Sequence, residues 1–70
     1  MSQASEIVTY EKALEIAKIV LAERVKRGDQ FADPDQVVED AAKAMAAAST
    51  TIAACDAAEE VFVKGRTDQQ

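Results

Sequence analysis

The side chains that most often carry out chemistry in proteins are scarce in this sequence. It has one cysteine, Cys55, and no histidine. A nucleophilic or redox-active cysteine needs a nearby base or positive charge that lowers the pKa of its thiol, and no histidine is present to act as that base. Cys55 stands among alanines at a regular apolar position. We therefore expect it to be a small buried hydrophobic residue.

The carboxylates are more numerous, but their spacing is not that of a metal or acid–base site. Glu11 and Glu15 lie four residues apart with Lys12 and Lys18 nearby, which is typical of a solvated helix face. A di-iron helical bundle would require Glu-x-x-His repeats, and a four-ligand zinc site would require more than one cysteine. The sequence therefore predicts no enzyme activity, no catalytic residue, no metal site and no cofactor.

Length and charge restrict the remaining classes. The chain has 70 residues and a net charge of -5, so we expect one domain and no general affinity for nucleic acid. No apolar run approaches the ~20 residues of a membrane span. The N-terminal residues do not include a basic segment followed by an apolar stretch, so we expect no secretory signal. A single unpaired cysteine suits a reducing compartment. These features predict a cytoplasmic protein that does not bind membranes.

Local signals predict two helices that would position all these residues. The first covers about residues 6–27, with Ser5 or Thr9 as its N-cap and Gly28 as the left-handed residue after its end. A turn follows over residues 28–33. Asp33 and Pro34 are typical of an N-cap and a first helical position, and Gln36 could complete a capping box. The second helix then covers about residues 34–64, and residues 65–70 form a polar tail.

One weak point interrupts the second helix. Ser49, Thr50 and Thr51 are poorer helix formers than the alanines around them, so a bend or break is an open alternative there. No glycine or proline supports a break. We therefore expect one continuous helix.

Apolar spacing predicts how the two helices pack. Residues of the second helix recur at alternating intervals of three and four, as in a coiled-coil seam, and the first helix has a shorter matching seam. The fold class expected is therefore all-α, an antiparallel two-helix hairpin with a long second helix. Because surplus apolar surface and an overhanging end remain, we expect two hairpins to dimerise into a four-helix-bundle-like assembly, with a monomeric hairpin as the alternative. The expected dimer and core seam comprises Tyr10, Leu14, Ala17, Leu21, Val38, Ala41, Met45, Ala48, Ile52, Cys55 and Phe62.

Five residues outside or interrupting this pattern are candidates for binding a partner. They are an apolar residue off the main stripe, two members of a basic cluster at the first helix end, an aromatic residue in the turn, and an acid that interrupts the seam. Solvated or structural roles remain alternatives for each. The candidates are Ile19, Arg24, Lys26, Phe31 and Glu59.

In general character, the helical region from Glu6 to Lys64 resembles the phage anti-quorum-sensing proteins, which are small, helical and dimeric modulators of host proteins. The resemblance implies a non-enzymatic inhibitor in the host cell cytoplasm that binds a LuxR-type transcription activator, with a pilus-assembly ATPase as a possible second target. It transfers no functional residue. The partners expected are therefore a second copy of the chain and a host protein.

Two other functions stay open. The predicted dimeric hairpin is similar to plasmid copy-number regulators of the ROP type, which bind RNA, but its basic residues alternate with Glu11, Glu15 and Glu23. An acidic nucleic-acid mimic is the other, with its negative charges between Asp29 and Asp40. RNA binding should weaken steeply with salt, whereas an apolar protein contact should tolerate salt.

Overall fold

A computed structural model of the chain describes residues 9–67 and shows three helices in this range. Helix α1 is Tyr10–Lys26, α2 is Pro34–Ala47 and α3 is Thr51–Gly65. The helices pack as a three-helix bundle within one chain. The predicted two-helix hairpin, and the four-helix assembly built from it, are therefore wrong.

The expected boundaries of α1 follow from its end signals. Thr9 is the N-cap, and its hydroxyl oxygen accepts a hydrogen bond from the backbone N–H of Lys12 at 3.2 Å. The alternative start near Ser5 lies outside the described residues. At the other end, Gly28 has a φ of 108°, a left-handed conformation that glycine adopts without a steric penalty. The chain can therefore leave α1 sharply and turn toward α2.

The start of α2 is also as expected, except for one side chain. Asp33 caps the helix by accepting a hydrogen bond from the backbone N–H of Gln36 at 3.2 Å, and Pro34 occupies the first turn. The Gln36 side chain does not complete a capping box. It points along the helix instead and donates to Asp40 at 3.0 Å.

The predicted continuous second helix is broken after Ala47. Ala48 and Thr50 both have extended backbones, and the Thr50 hydroxyl accepts a hydrogen bond from the N–H of Ala53 at 3.0 Å. A threonine hydroxyl that caps a helix N-terminus stabilises that helix start by ~1 kcal/mol. The Ser-Thr-Thr segment is therefore the start signal of a third helix rather than a weak point in the second.

Helix α2 is the central element of the bundle. It packs against both α1 and α3, whereas α1 and α3 have little direct backbone contact. The C-terminal residue of α3, Gly65, lies against Val37 near the start of α2, so these two helices are antiparallel. Arg24 at the end of α1 reaches α3 near its end, so α1 and α3 run in the same direction. The result is an up-down-up arrangement with a groove between α1 and α3.

Small residues form most of the core, which explains how an alanine-rich chain folds. Alanines bring helix axes close together, at the short end of the usual 8–10 Å separation. Among residues 9–67, Phe62 is the only large side chain that is fully buried. The buried core of the described residues comprises Ala13, Ala17, Val37, Val38, Ala41, Ala42, Met45, Ala54, Ala58 and Phe62.

In α2 the predicted seam residues Val38, Ala41 and Met45 are buried, whereas in α3 only Phe62 of the predicted seam residues is buried. Three non-helical residues separate the two helices, so the heptad pattern does not carry over and α3 turns a different face inward. Ile52 and Cys55 are consequently exposed. In α1 the buried face is centred beside the predicted seam: Ala13, which is not a seam residue, is fully buried together with the seam residue Ala17, whereas the seam residue Tyr10 is exposed. The predicted seam positions divide into the buried residues Ala17, Val38, Ala41, Met45 and Phe62, the half-buried residues Leu14, Leu21 and Ala48, and the exposed residues Tyr10, Ile52 and Cys55.

Candidate protein-binding groove

A solvent-open groove of about 210 Å³ lies between α1 and α3. Because α1 and α3 each pack on α2 rather than on one another, their facing sides stay apart, and Met45 of α2 lies beneath them. All the lining side chains except one are uncharged. We call this feature the α1–α3 groove. Its lining residues are Ile16, Ala17, Val20, Met45, Cys55, Ala58, Glu59 and Phe62.

The one charge in the lining is neutralised from within the chain. The Glu59 carboxylate pairs with the guanidinium of Arg24, which reaches across the groove from α1. Arg24 is also 3.9 Å from Asp29 in the α1–α2 connection, and Asp29 lies 3.6 Å from Arg66 after α3. These four residues form the Arg24 cluster, which joins α1 to α3 at one end of the groove.

Aromatic and backbone contacts reinforce the same end. The guanidinium carbon of Arg24 lies 5.2 Å from the ring centre of Phe62, within the range of a cation–π contact. The ring of Phe31 meets Phe62 edge to face, with centroids 6.4 Å apart. The backbone of Phe31 pairs with that of Arg66, and the N–H of Thr67 donates to the carbonyl of Gln30 at 2.8 Å. The connection after α1 and the segment after α3 are thus held together by backbone contacts.

The five predicted partner-binding residues do not form one site. Arg24 and Glu59 pair with each other, and Phe31 is half-buried against Phe62. Ile19 and Lys26 are exposed on α1, and 64% of the Ile19 surface is accessible to solvent. The structure therefore gives three of the five an intramolecular contact and leaves two facing solvent.

Sequence reasoning did not identify the groove, although part of its signal was visible. Ile16 and Val20 stand beside the predicted seam of α1 and give that helix more apolar surface than one seam covers. The sequence pattern places Cys55 in the core only if α2 and α3 form one continuous helix, and they do not. If Thr50 is taken as the N-cap of a separate helix, the predicted orientation of α3 changes and Cys55 is expected on its exposed side.

Within residues 9–67 no cluster of cysteine, aspartate and glutamate side chains could hold a metal ion. Cys55 is a free thiol. None of the three helices is both long enough and apolar enough to cross a bilayer.

Comparison with protein-family models, with curated proteins and with solved structures gave no match.

Proposed function

We propose that this protein is a non-enzymatic protein-binding modulator that receives one amphipathic helix of a partner in the α1–α3 groove. The observation that supports this proposal is the groove itself, an apolar channel that the folded chain leaves open. Concave apolar surfaces with few polar groups are the usual form of binding sites. A contact of this kind needs no catalytic group, cofactor or metal.

The walls of the groove favour a helical occupant over an extended one. Both walls are α-helices, and the backbone N–H and C=O groups of a helix are paired within it. An extended segment would find no backbone partner on these walls, and buried backbone groups without partners cost free energy. A helix satisfies its own backbone and can place side chains spaced by three and four residues into the groove.

Charge complementarity indicates which helix would fit. The chain carries a net charge of -5, and the exposed acids Glu15 and Asp56 directly adjoin the lining residues Ile16 and Cys55 in the sequence. Opposite charge on a partner speeds association and suppresses incorrect partners. The expected occupant therefore has a short apolar stripe bordered by lysine and arginine.

The first partner to test is the DNA-binding region of a LuxR-type transcription activator, as the phage resemblance implies. DNA-binding regions are commonly helical and basic, because a recognition helix enters the major groove and basic residues contact phosphates. Occupation by this protein would then inhibit the activator by competing with DNA. The pilus-assembly ATPase is the second target to test by the same assay.

A groove variant and a matched control test the proposal. Cys55→Arg places a long charged side chain at an exposed position of the groove wall, whereas Val25→Arg places the same side chain on exposed surface of α1 that does not line the groove. We expect calorimetry with the purified DNA-binding region to show binding by the wild type and Val25→Arg, and at least about tenfold weaker binding by Cys55→Arg, a difference of about 1.4 kcal/mol. No binding by the wild type, or equal binding by both variants, would refute the proposal.

The RNA-binding alternative has less support. It relied on a dimeric two-helix hairpin, and residues 9–67 form three helices. The guanidinium of Arg24, the central residue of the basic cluster, is engaged with Asp29 and Glu59. Among the acids invoked for nucleic-acid mimicry, Asp29 likewise contacts two arginines and Asp33 caps α2, which reduces the free negative charge of that surface.

A further inference from the structure

The exposed surface of α1 carries a second feature, which shares only Ile16 with the α1–α3 groove. Lys12, Ile16, Ile19 and Glu23 are spaced by four, three and four residues, so they lie in one narrow line along the helix. All four are exposed, with 37% of Ile16 and 64% of Ile19 accessible. We call this line the α1 stripe. Its order is positive, apolar, apolar, negative.

When two copies of the α1 stripe lie antiparallel, each charged residue of one copy faces a residue of opposite charge on the other, and each isoleucine faces an isoleucine. If two α1 helices lie antiparallel about a twofold axis between Ile16 and Ile19, then Ile16 faces the second copy's Ile19. The same axis brings Lys12 opposite Glu23 at both ends of the contact. A parallel pairing would instead place lysine against lysine and glutamate against glutamate, which is destabilising.

We propose that the α1 stripe is a self-association surface through which two copies of this chain pair with their α1 helices antiparallel. The occupant follows from charge complementarity, because the stripe supplies both members of each ion pair. Lys12 is free to take part, since its contact to Glu15, at 3.8 Å, is loose and both side chains are more than half exposed. This dimer differs from a four-helix assembly of hairpins, because each copy keeps its own three-helix bundle.

The size of the stripe sets the strength of the contact. One helix face with two isoleucines covers far less than the ~800 Å² per partner of a standard interface. The dimer is therefore weak and transient, and we expect it to form only at high protein concentration. Because Ile16 also lines the α1–α3 groove, self-association covers one edge of that groove and competes with a partner helix.

Charge reversal tests the antiparallel register. Lys12→Glu and Glu23→Lys each convert both symmetric ion pairs into like-charge contacts, so we expect each to weaken self-association about tenfold. Neither change should disturb folding, because Lys12 lies near the start of α1 and Glu23 near its end, where the new charges suit the helix dipole. Circular dichroism checks this point.

Two combinations should restore the contact. The double variant Lys12→Glu/Glu23→Lys rebuilds both pairs with exchanged signs, and a mixture of the two single variants forms a heterodimer with attractive charges at both ends. Both single variants keep a negative net charge, because each reversal changes the chain's -5 by two units. General attraction between them is therefore absent. Lys18→Glu, an exposed change on α1 outside the stripe, is the matched control.

The measurement is sedimentation equilibrium at low salt over a series of protein concentrations that reaches about 1 mM, because weak association appears only at high concentration. Self-association of the wild type and Lys18→Glu, its loss in both single variants, and its return in the double variant and the mixture would support the proposal. A wild type that stays monomeric, single variants that associate unchanged, or a double variant that stays monomeric would overturn it. No partner protein is needed, so this result is independent of the proposed function.

Discussion

Replacing Gly65 with alanine tests how the position of α3 is set. A Cβ atom at residue 65 would lie 2.6 Å from Cγ2 of Val37, a buried side chain of α2. Real Cβ atoms essentially never come this close to another heavy atom. Valine is stiff at χ1, so Val37 has little freedom to move away. The glycine is therefore the residue that allows the end of α3 to approach α2.

The cost can be estimated from opposing effects. Inserting a methyl group into packed surroundings typically costs about 1–3 kcal/mol. Alanine is favoured over glycine inside a helix by up to about 1 kcal/mol, but residue 65 is the last residue of α3 and gains only part of this. We expect Gly65→Ala to lower the free energy of unfolding by about 1–2 kcal/mol, which is roughly 4–16 °C in Tm for a chain of this size.

A double-mutant cycle with Val37→Ala isolates the contact. Val37→Ala removes the two methyl groups that the new Cβ would meet, at a cost of about 1–3 kcal/mol on its own. In that background Gly65→Ala should be neutral or slightly stabilising, so the two changes should couple by about 1 kcal/mol or more. The assay is urea unfolding followed by circular dichroism. An undiminished cost of Gly65→Ala in the Val37→Ala background would refute the steric explanation, as would a stabilising effect in the wild type.

Two further changes test the elements around the groove. Thr50→Ala removes the N-cap hydrogen bond of α3 and should lower the free energy of unfolding by about 1 kcal/mol. Its control is Ser49→Ala at an exposed position, which should change the free energy of unfolding by less than about 0.5 kcal/mol. Equal effects of the two changes in urea unfolding would contradict this role for Thr50. Arg24→Met keeps the apolar stem but loses the pairs with Asp29 and the half-exposed Glu59, so we expect a loss of about 1 kcal/mol that shrinks at high salt. Arg27→Met, at an exposed position, is its control, and a salt-independent loss would exclude an electrostatic cause.

The helix ends could be predicted from the sequence because their causes are local. Thr9 and Asp33 cap helices through side chains that reach only three residues along the chain. Gly28 adopts the positive φ that its place after α1 indicates. Such signals depend on the covalent geometry of a few neighbours, so no knowledge of the tertiary structure is needed to read them.

The break before α3 could not be decided in this way. The propensity differences between serine, threonine and alanine amount to a few tenths of a kcal/mol per residue, so neither outcome is clearly favoured locally. The third helix forms because folding back on α2 buries Ala54, Ala58 and Phe62, which is a tertiary effect. A continuous helix across residues 48–50 gives the later residues a different orientation, which is why Ile52 and Cys55 are expected in the core but are exposed.

In the candidate site, too, some features follow from the local sequence and others depend on tertiary packing. The apolar surplus on α1 was visible in Ile16 and Val20, but the wall that faces them on α3 depends on the break. Arg24 and Glu59 are 35 residues apart in sequence, so their pairing is determined only by the parallel course of α1 and α3. Glu59 is singled out in the sequence because it interrupts the apolar seam, and Arg24 because it belongs to the basic cluster at the end of α1; the structure shows that these two residues pair with each other.

The attachment of α1 to α3 at one end gives the groove unequal stiffness along its length. At the Arg24 end, ion pairs, an edge-to-face contact between two phenylalanine rings and a backbone hydrogen bond fix the distance between the two helices. At the Ile16 end, the helices are held mainly through α2, so a small outward tilt there breaks fewer contacts than the same tilt at the other end. If a partner helix binds there as we propose, it meets a fixed distance between α1 and α3 at the Arg24 end and a more easily widened one at the Ile16 end. Selection against oversized side chains should be strict near Phe62 and lenient near Ile16.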